Sequence, residues 1–233
     1  MRIGIMQPYF FPYIGYFQLL STVDALVVYD NLEFSRKGWI HRNRILVNGA
    51  PAYITLSLHH DSDYLFINSR FLSHSYLKDN EKMLRRIEGA YKRAPYFHEV
   101  FQVIQDCLHF DSPNLFGFVL NSIKVVADFL SITTPIIVSS TLPIDHSLKK
   151  QDKVLALCTC LRASAYINPE GGVDLYDRNA FQSAGVDIQF LKACDVAYRQ
   201  FEEHFVARLS IIDMLMFNSR NTIQEMLKSY KLF

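Results

Sequence analysis

MRIGIMQPYFFPYIGYFQLL, residues 1–20, decides the fold of this chain. Arg2–Met6 reads as a short buried strand that stops at Gln7-Pro8, because proline has no backbone N–H for a ladder. Apolar residues then return at helical spacing: Ile14, Phe17 and Leu20, with Gln18 on the same stretch. Ala25–Tyr29 (ALVVY) reads as a second strand, ending at Asp30-Asn31. Strand, loop, short helix and strand within thirty residues predict a βαβ unit and a parallel pair. In an open parallel sheet, ligands sit outside the carboxyl ends of the strands. Gln7 and Asp30 fall at two such ends.

Outward from this unit, the pattern predicts a strand–turn–strand over Ile45–Val47 and Ala52–Leu58 around Asn48-Gly49. Helices are predicted over Tyr76–Arg93, Tyr96–Leu108 and Ser112 to Leu130. Ser112 would cap the last of these, with Pro113 in its first turn. The α/β pattern resumes with strands at Pro135–Ser139, Ala165–Ile167 and Val186–Leu191. Between them lie helices at Gln151–Arg162 and Asn179–Ala184, and a helix at Leu209–Phe217 follows. The expected architecture is α/β with a mainly parallel sheet and a helical insertion at about 76–130, as one domain over residues 1–233.

Of the 233 residues, 50% are hydrophobic and 20% charged, which is ample for a core. Lys plus Arg number 24 against 23 for Asp plus Glu, a net charge of +1, so composition offers no case for nucleic acid or an anionic membrane. No apolar run is long enough for a membrane span, and the first residues lack a signal pattern. A cytoplasmic chain with reduced cysteines is therefore expected.

Three constellations could carry chemistry. At the first junction, Gln7, Tyr9, Tyr13 and Tyr16 offer polar tips around Gly15. Tyr13-Ile14-Gly15-Tyr16 stands where nucleotidyl-transferring α/β enzymes carry His-x-Gly-His. Tyrosine is neutral near pH 7 and cannot replace imidazolium beside a transferring phosphate, so adenylylation is weakened and ligand binding is not. The second set is Asp30 with Lys37, His41, Arg42, Asn43 and Arg44, a carboxylate followed by the most basic segment of the chain. His41 is the candidate general base, since imidazole titrates near neutrality. Third, Gly171-Gly172, between a strand and a helix, could expose backbone N–H groups to a phosphate or carboxylate. A packed turn, a solvated basic loop and a simple reversal are the structural alternatives for the three. The HHDSD loop, residues 59–63, lacks a second ligand group, and no metal is assigned. Asp213 lies in an apolar helix and needs a partner, for which Arg208 is the near cation.

MQPYFFPYIGYFQLL and VDALVVYDNLEFSRKGWIHRNRI together resemble the opening signature of the WbqC-like family. YKRAPYF, the Gly171-Gly172 loop and LSIIDMLMF (209–217) are similar to it too, so the resemblance spans nearly the whole chain. Gln7, Pro8, Tyr9, Pro12, Gly15, Asp30, Asn43 and Arg44 match the family pattern. Many relatives have Asn where this chain has His41, which shifts weight to Arg42 and Asn43 as binding residues. The resemblance implies a role in bacterial O-antigen or other surface-polysaccharide synthesis, as a transferase of a glycine-like aminoacyl or other acyl group onto an amino sugar. The implied partners are small molecules: a nucleotide-linked sugar and an acyl or aminoacyl donor. No cofactor is assigned. The alternatives are a non-catalytic sugar-nucleotide-binding or scaffold protein, and a nucleotidyltransferase-like enzyme with a degenerate His-x-Gly-His.

Overall fold

β1 (Arg2–Met6), α1 (Ile14–Thr22) and β2 (Ala25–Val28) form the expected βαβ unit. The strands pair in parallel, with Ile3 opposite Ala25 and Met6 opposite Val28. The structure is a computed structural model describing residues 1–62, 64–194 and 196–233. β3 (Arg42–Val47) and β4 (Ala50–Thr55) make an antiparallel hairpin that forms its own two-stranded sheet. Asn48 takes the left-handed backbone of its turn at φ 50°, which Asn tolerates better than most residues. Three helices follow, α2 (Tyr76–Tyr91), α3 (Phe97–Leu108) and α4 (Leu115–Phe129). They occupy the span predicted as helical. The cap of α4 differs from expectation: Asn114, not Ser112, accepts the Gly117 N–H at 2.9 Å. Asn114 is equally able to cap, and Pro113 stays outside the helix.

The chain then returns to the sheet through β5 (Ile136–Val138), α5 (Lys150–Cys160), β6 (Ala165–Pro169), α6 (Arg178–Ser183) and β7 (Asp187–Ala193). It finishes with α7 (Ile211–Phe217), α8 (Arg220–Met226) and β8 (Tyr230–Leu232). α8 and the short β8 escape the sequence pattern. The six strands run in the order β5-β2-β1-β6-β7-β8. Five are parallel, and β8 alone pairs antiparallel, on β7.

Alternation along the strands divides the core in two. Leu26, Val28, Ile167 and Leu191 face one side, where α1 contributes Phe17, Leu19 and Leu20 and where α2–α4, α7 and α8 join the same cluster. Ile3, Ile5, Val27, Tyr166, Ile188 and Phe190 face the other, against Val154, Leu157 and Cys158 of α5 and Phe181 of α6. From β1 the chain fills one flank through β2 and β5, then crosses to β6 and fills the other. The strand order therefore reverses between β1 and β6. That is the place where an open α/β sheet leaves a crevice at its carboxyl edge. Gln7 follows β1 there, and Glu170-Gly171-Gly172 follows β6.

Candidate functional site

Asp30 is 3% exposed just beyond β2, and its carboxylate is heavily hydrogen-bonded. Oδ1 accepts Ser139 Oγ–H at 2.9 Å and the Ser140 backbone N–H at 3.0 Å. Oδ2 accepts Ser140 Oγ–H at 2.6 Å and Asn68 Nδ2 at 2.9 Å. Burial pushes this carboxyl up, but the donors from Ser140, Asn68 and Ser139 outweigh it and hold its pKa below the usual range. Ser139 and Ser140 arrive directly after β5, which pairs beside β2.

Asn31 extends the network. Its Oδ1 lies 2.8 Å from Ser139 Oγ and accepts from Lys153 Nζ at 3.2 Å. Its Nδ2 lies 2.9 Å from His146 Nδ1, and His146 Nε2 lies 3.0 Å from the Leu142 carbonyl oxygen. These contacts suit a neutral imidazole protonated on Nε2. Lys153 is 3% exposed, and its ammonium lies 5.5 Å from the centre of the Tyr29 ring. Burial lowers its pKa and the charge of Asp30 works against that. Among the described residues it makes no direct ion pair. The sequence reading missed Ser139, Ser140, His146 and Lys153. One signal was available: Lys153 shares a helical stripe with the buried Val154, Leu157 and Cys158, an unusual place for a cation.

Gln7 is half-buried just beyond β1, the strand that pairs with β2, and among the described residues its side-chain amide has no hydrogen-bond partner. Tyr9 is half-buried, Tyr13 is 42% exposed and Tyr16 is sealed in the core. Desolvation raises the pKa of all three phenols, so each stays neutral. Gly15 leaves room for the Tyr13 ring over the start of α1: a Cβ there would meet it at 2.3 Å.

The basic segment is divided in its duties. Asn43 is buried, and its Nδ2 donates to the carbonyl oxygens of Phe10 and Phe11 at 3.0 and 2.8 Å. Its amide thus braces the Gln7–Pro12 loop. Arg42 donates to the carbonyls of Lys37 and Gly38 and lies over the Tyr53 ring. Arg44 donates to the Arg208 carbonyl at 3.3 Å and lies over Trp39. Lys37 is exposed. His41 opens onto a separate cleft of about 200 Å³ shared with Arg36, Thr55, His59 and His60. Burial, with Arg42, Arg36 and Arg70 nearby, lowers its pKa to about 4. Its buried Nδ1 has no partner among the described residues.

Gly171 and Gly172 lie in a 3-10 turn, Glu170–Leu175. Gly172 is buried against Asn168, whose Nδ2 would be 1.8 Å from any Cβ added there. The Asn168 Oδ1 accepts from Tyr166 Oη, which also lies 3.2 Å from Tyr176 Oη. Asp213 is bonded by Tyr91, Tyr198 and Gln200 rather than by Arg208. The partners are neutral donors, Tyr91 from 122 residues away and Tyr198 and Gln200 from the segment before α7, and burial raises the acid's pKa. Of the HHDSD loop, Asp63 lies outside the described residues. Among the described residues, no three His, Cys, Asp or Glu side chains are grouped to hold a metal ion, and no helix is long and apolar enough to cross a membrane.

Fold and crevice define a doubly wound α/β protein with polar groups gathered at its strand ends. The chain belongs to the WbqC-like protein family, whose model matches residues 7–225. It is also similar to the uncharacterized protein Rv1507c of Mycobacterium tuberculosis (strain ATCC 25618 / H37Rv), with 22% identity over 226 residues covering 92% of each chain. No solved structure matches the chain.

Proposed function

We propose that the chain is a transferase that moves an aminoacyl, glycine-like, or other acyl group onto the amine of an amino sugar in bacterial surface-polysaccharide synthesis, O-antigen included. The acceptor is a nucleotide-linked sugar held in the crevice between β1 and β6. The observation that supports this reading is the network of Asp30, Ser140, Asn31 and Lys153 beyond β2 and β5, with Gln7 following the neighbouring strand β1. Ser140 is exposed while its hydroxyl bonds the buried Asp30 carboxylate. An incoming amine meets that hydroxyl and the negative charge behind it, which orient the amine for attack. The free Gln7 amide donates to the acyl carbonyl as negative charge develops on its oxygen; the C–N bond then forms as the acyl C–S bond of a thioester donor breaks, and the sulfur leaves as a thiol carrying the proton the amine gives up. Lys153 balances the Asp30 charge. Tyr9 and Tyr13 wall the crevice, and Lys37, Arg42 and Arg44 belong to its basic flank. Asn43 supports Gln7 by fixing the loop that carries it. His41 has a pKa too low for an efficient base at neutral pH.

The test is incubation with nucleotide-linked amino sugars and acyl or aminoacyl thioesters, read by the mass gained on the sugar. Turnover should fall by roughly a hundredfold or more in Asp30→Asn and Gln7→Ala, consistent with loss of a charge and of a carbonyl donor. Full turnover in Asp30→Asn removes Asp30 from the mechanism. Tight sugar-nucleotide binding without mass gain from any donor would replace the transferase by a binding protein.

A further inference from the structure

Phe11 and Arg208 both hold left-handed backbone, at φ 41° and 57°. A side chain in that region is strained and persists only where its surroundings impose it. The two residues share one brace. Ser210 Oγ–H donates to the Phe11 carbonyl at 2.8 Å, the Ile211 N–H to the Pro12 carbonyl at 3.0 Å, and the Ser210 N–H to the Arg44 carbonyl at 2.8 Å. Arg44 closes the circuit on the Arg208 carbonyl at 3.3 Å.

Phe11 has a packing reason for its conformation, since its ring is 0% exposed. Arg208 has none. It is exposed, and among the described residues its guanidinium makes no hydrogen bond or ion pair. Its charge does reach Tyr13, whose phenol also feels Glu170 from the far side of the β1–β6 crevice. Glu170 is itself paired to Lys192 at 3.0 Å. The bonds from Ser210 and Ile211 to Phe11 and Pro12 hold the segment that begins at Arg208 against the loop after β1, and its cation is uncommitted.

We propose that Arg208 is a ligand-binding residue of the crevice that takes an oxyanion, phosphate or carboxylate, with Arg44 as the positioning residue that holds its backbone. The guanidinium fork suits both anions. This inference rests on the crevice reading above and names the group that anchors the charged part of its ligand.

Trp39 is the single tryptophan of the chain and lies under the Arg44 guanidinium, 5.4 Å from it, so its fluorescence reports on this corner. Wild-type protein is titrated with inorganic pyrophosphate and, separately, with malonate, which distinguishes the phosphate from the carboxylate source. At least one should bind. Its affinity should fall roughly tenfold or more in Arg208→Met and Arg208→Gly, the loss expected of a charge-assisted contact. Arg208→Lys should retain part of it. Arg208→Gly should melt no lower than wild type, because glycine adopts this backbone freely, so its lost affinity would not reflect unfolding. Absence of binding by both anions, or variants that bind like wild type, overturns the assignment. Acyl transfer is read independently by sugar mass. Turnover without Arg208-dependent anion binding sinks Arg208 alone. Arg208-dependent binding without turnover leaves the anion site and removes the transferase.

Discussion

Asn43 reaches from β3 to the Phe11 carbonyl oxygen at 2.8 Å, and the same amide nitrogen reaches the Phe10 carbonyl at 3.0 Å. One side chain thereby fixes the left-handed turn at Phe11 and, with it, the exit of Gln7 from β1. Asn43→Ala should destabilise the fold by about 1–3 kcal/mol, because the Phe10 carbonyl is left without its donor while the Phe11 carbonyl keeps Ser210. Asn43→Asp should be no better, since it sets a carboxylate oxygen against two carbonyls. Urea unfolding checks both. A change under 0.5 kcal/mol, roughly the level of an ordinary surface substitution, contradicts the bracing role.

His41 has a pKa of about 4 in the fold, against 6.5 ordinarily, because burial and three arginines disfavour its charged form. Its folded value lies below its unfolded value, so the unfolded chain takes up the proton first as pH falls. The contribution of His41 is therefore fully present above about pH 6.5 and is lost as pH drops towards 4. His41→Gln should flatten that part of the stability curve and leave the neutral region unchanged in slope. Imidazole NMR titration should find the midpoint far below 6.5, and a midpoint near 6.5 refutes the burial argument.

Much of this fold is legible from the chain, for physical reasons that can be named. Ile3–Met6 and Ala25–Val28 carry uninterrupted apolar runs because both faces of a central parallel strand are buried. β8 is three residues on a sheet edge, half-buried to exposed, and its pattern is too short to announce a strand. The strand ends before Gln7 and Asp30 were legible, because chain breaks mark them. Partners brought from 110 residues away, such as Ser140 for Asp30, leave no local trace. The same holds for Asp213, whose neutral partners Tyr91 and Tyr198 carry no charge complementarity for a sequence reading to seize.

Asp30 and Asp213 should respond to acid in opposite senses. Hydrogen bonds hold the Asp30 pKa below its reference value of 3.8, so its stabilisation is present above that value and is lost as pH falls through the lower folded pKa. Burial raises Asp213 above 3.8, so the folded state there binds its proton more readily than the unfolded one. That contribution is present at low pH and is lost as pH rises through the raised folded value. The cost of Asp30→Asn should shrink on acidification below about pH 4, the ordinary carboxylate range, whereas the cost of Asp213→Asn should shrink as pH rises above it. Denaturant melts of both variants across the acid range measure this, and parallel curves would contradict the two environments.

Gly171 and Gly172 separate two explanations for the turn after β6. If the pair exists to expose backbone N–H groups to an anion, alanine at either position should affect ligand binding more than folding. The packing geometry points elsewhere for Gly172. A Cβ there would lie 1.8 Å from Asn168 Nδ2, and the Asn168–Tyr166–Tyr176 contacts behind it would have to move. Gly171 has nothing within 4 Å of an added Cβ, and its backbone has no left-handed φ. Gly172→Ala should therefore cost about 1–3 kcal/mol, as overpacking does, while Gly171→Ala stays within about 0.5 kcal/mol. Chemical unfolding of the two variants side by side checks the contrast, with pyrophosphate titration of the folded proteins as the second readout. Equal, small stability effects would return the turn to the anion-cradle reading. A large loss confined to Gly172 ties it to positioning Asn168, across the switch point from Gln7.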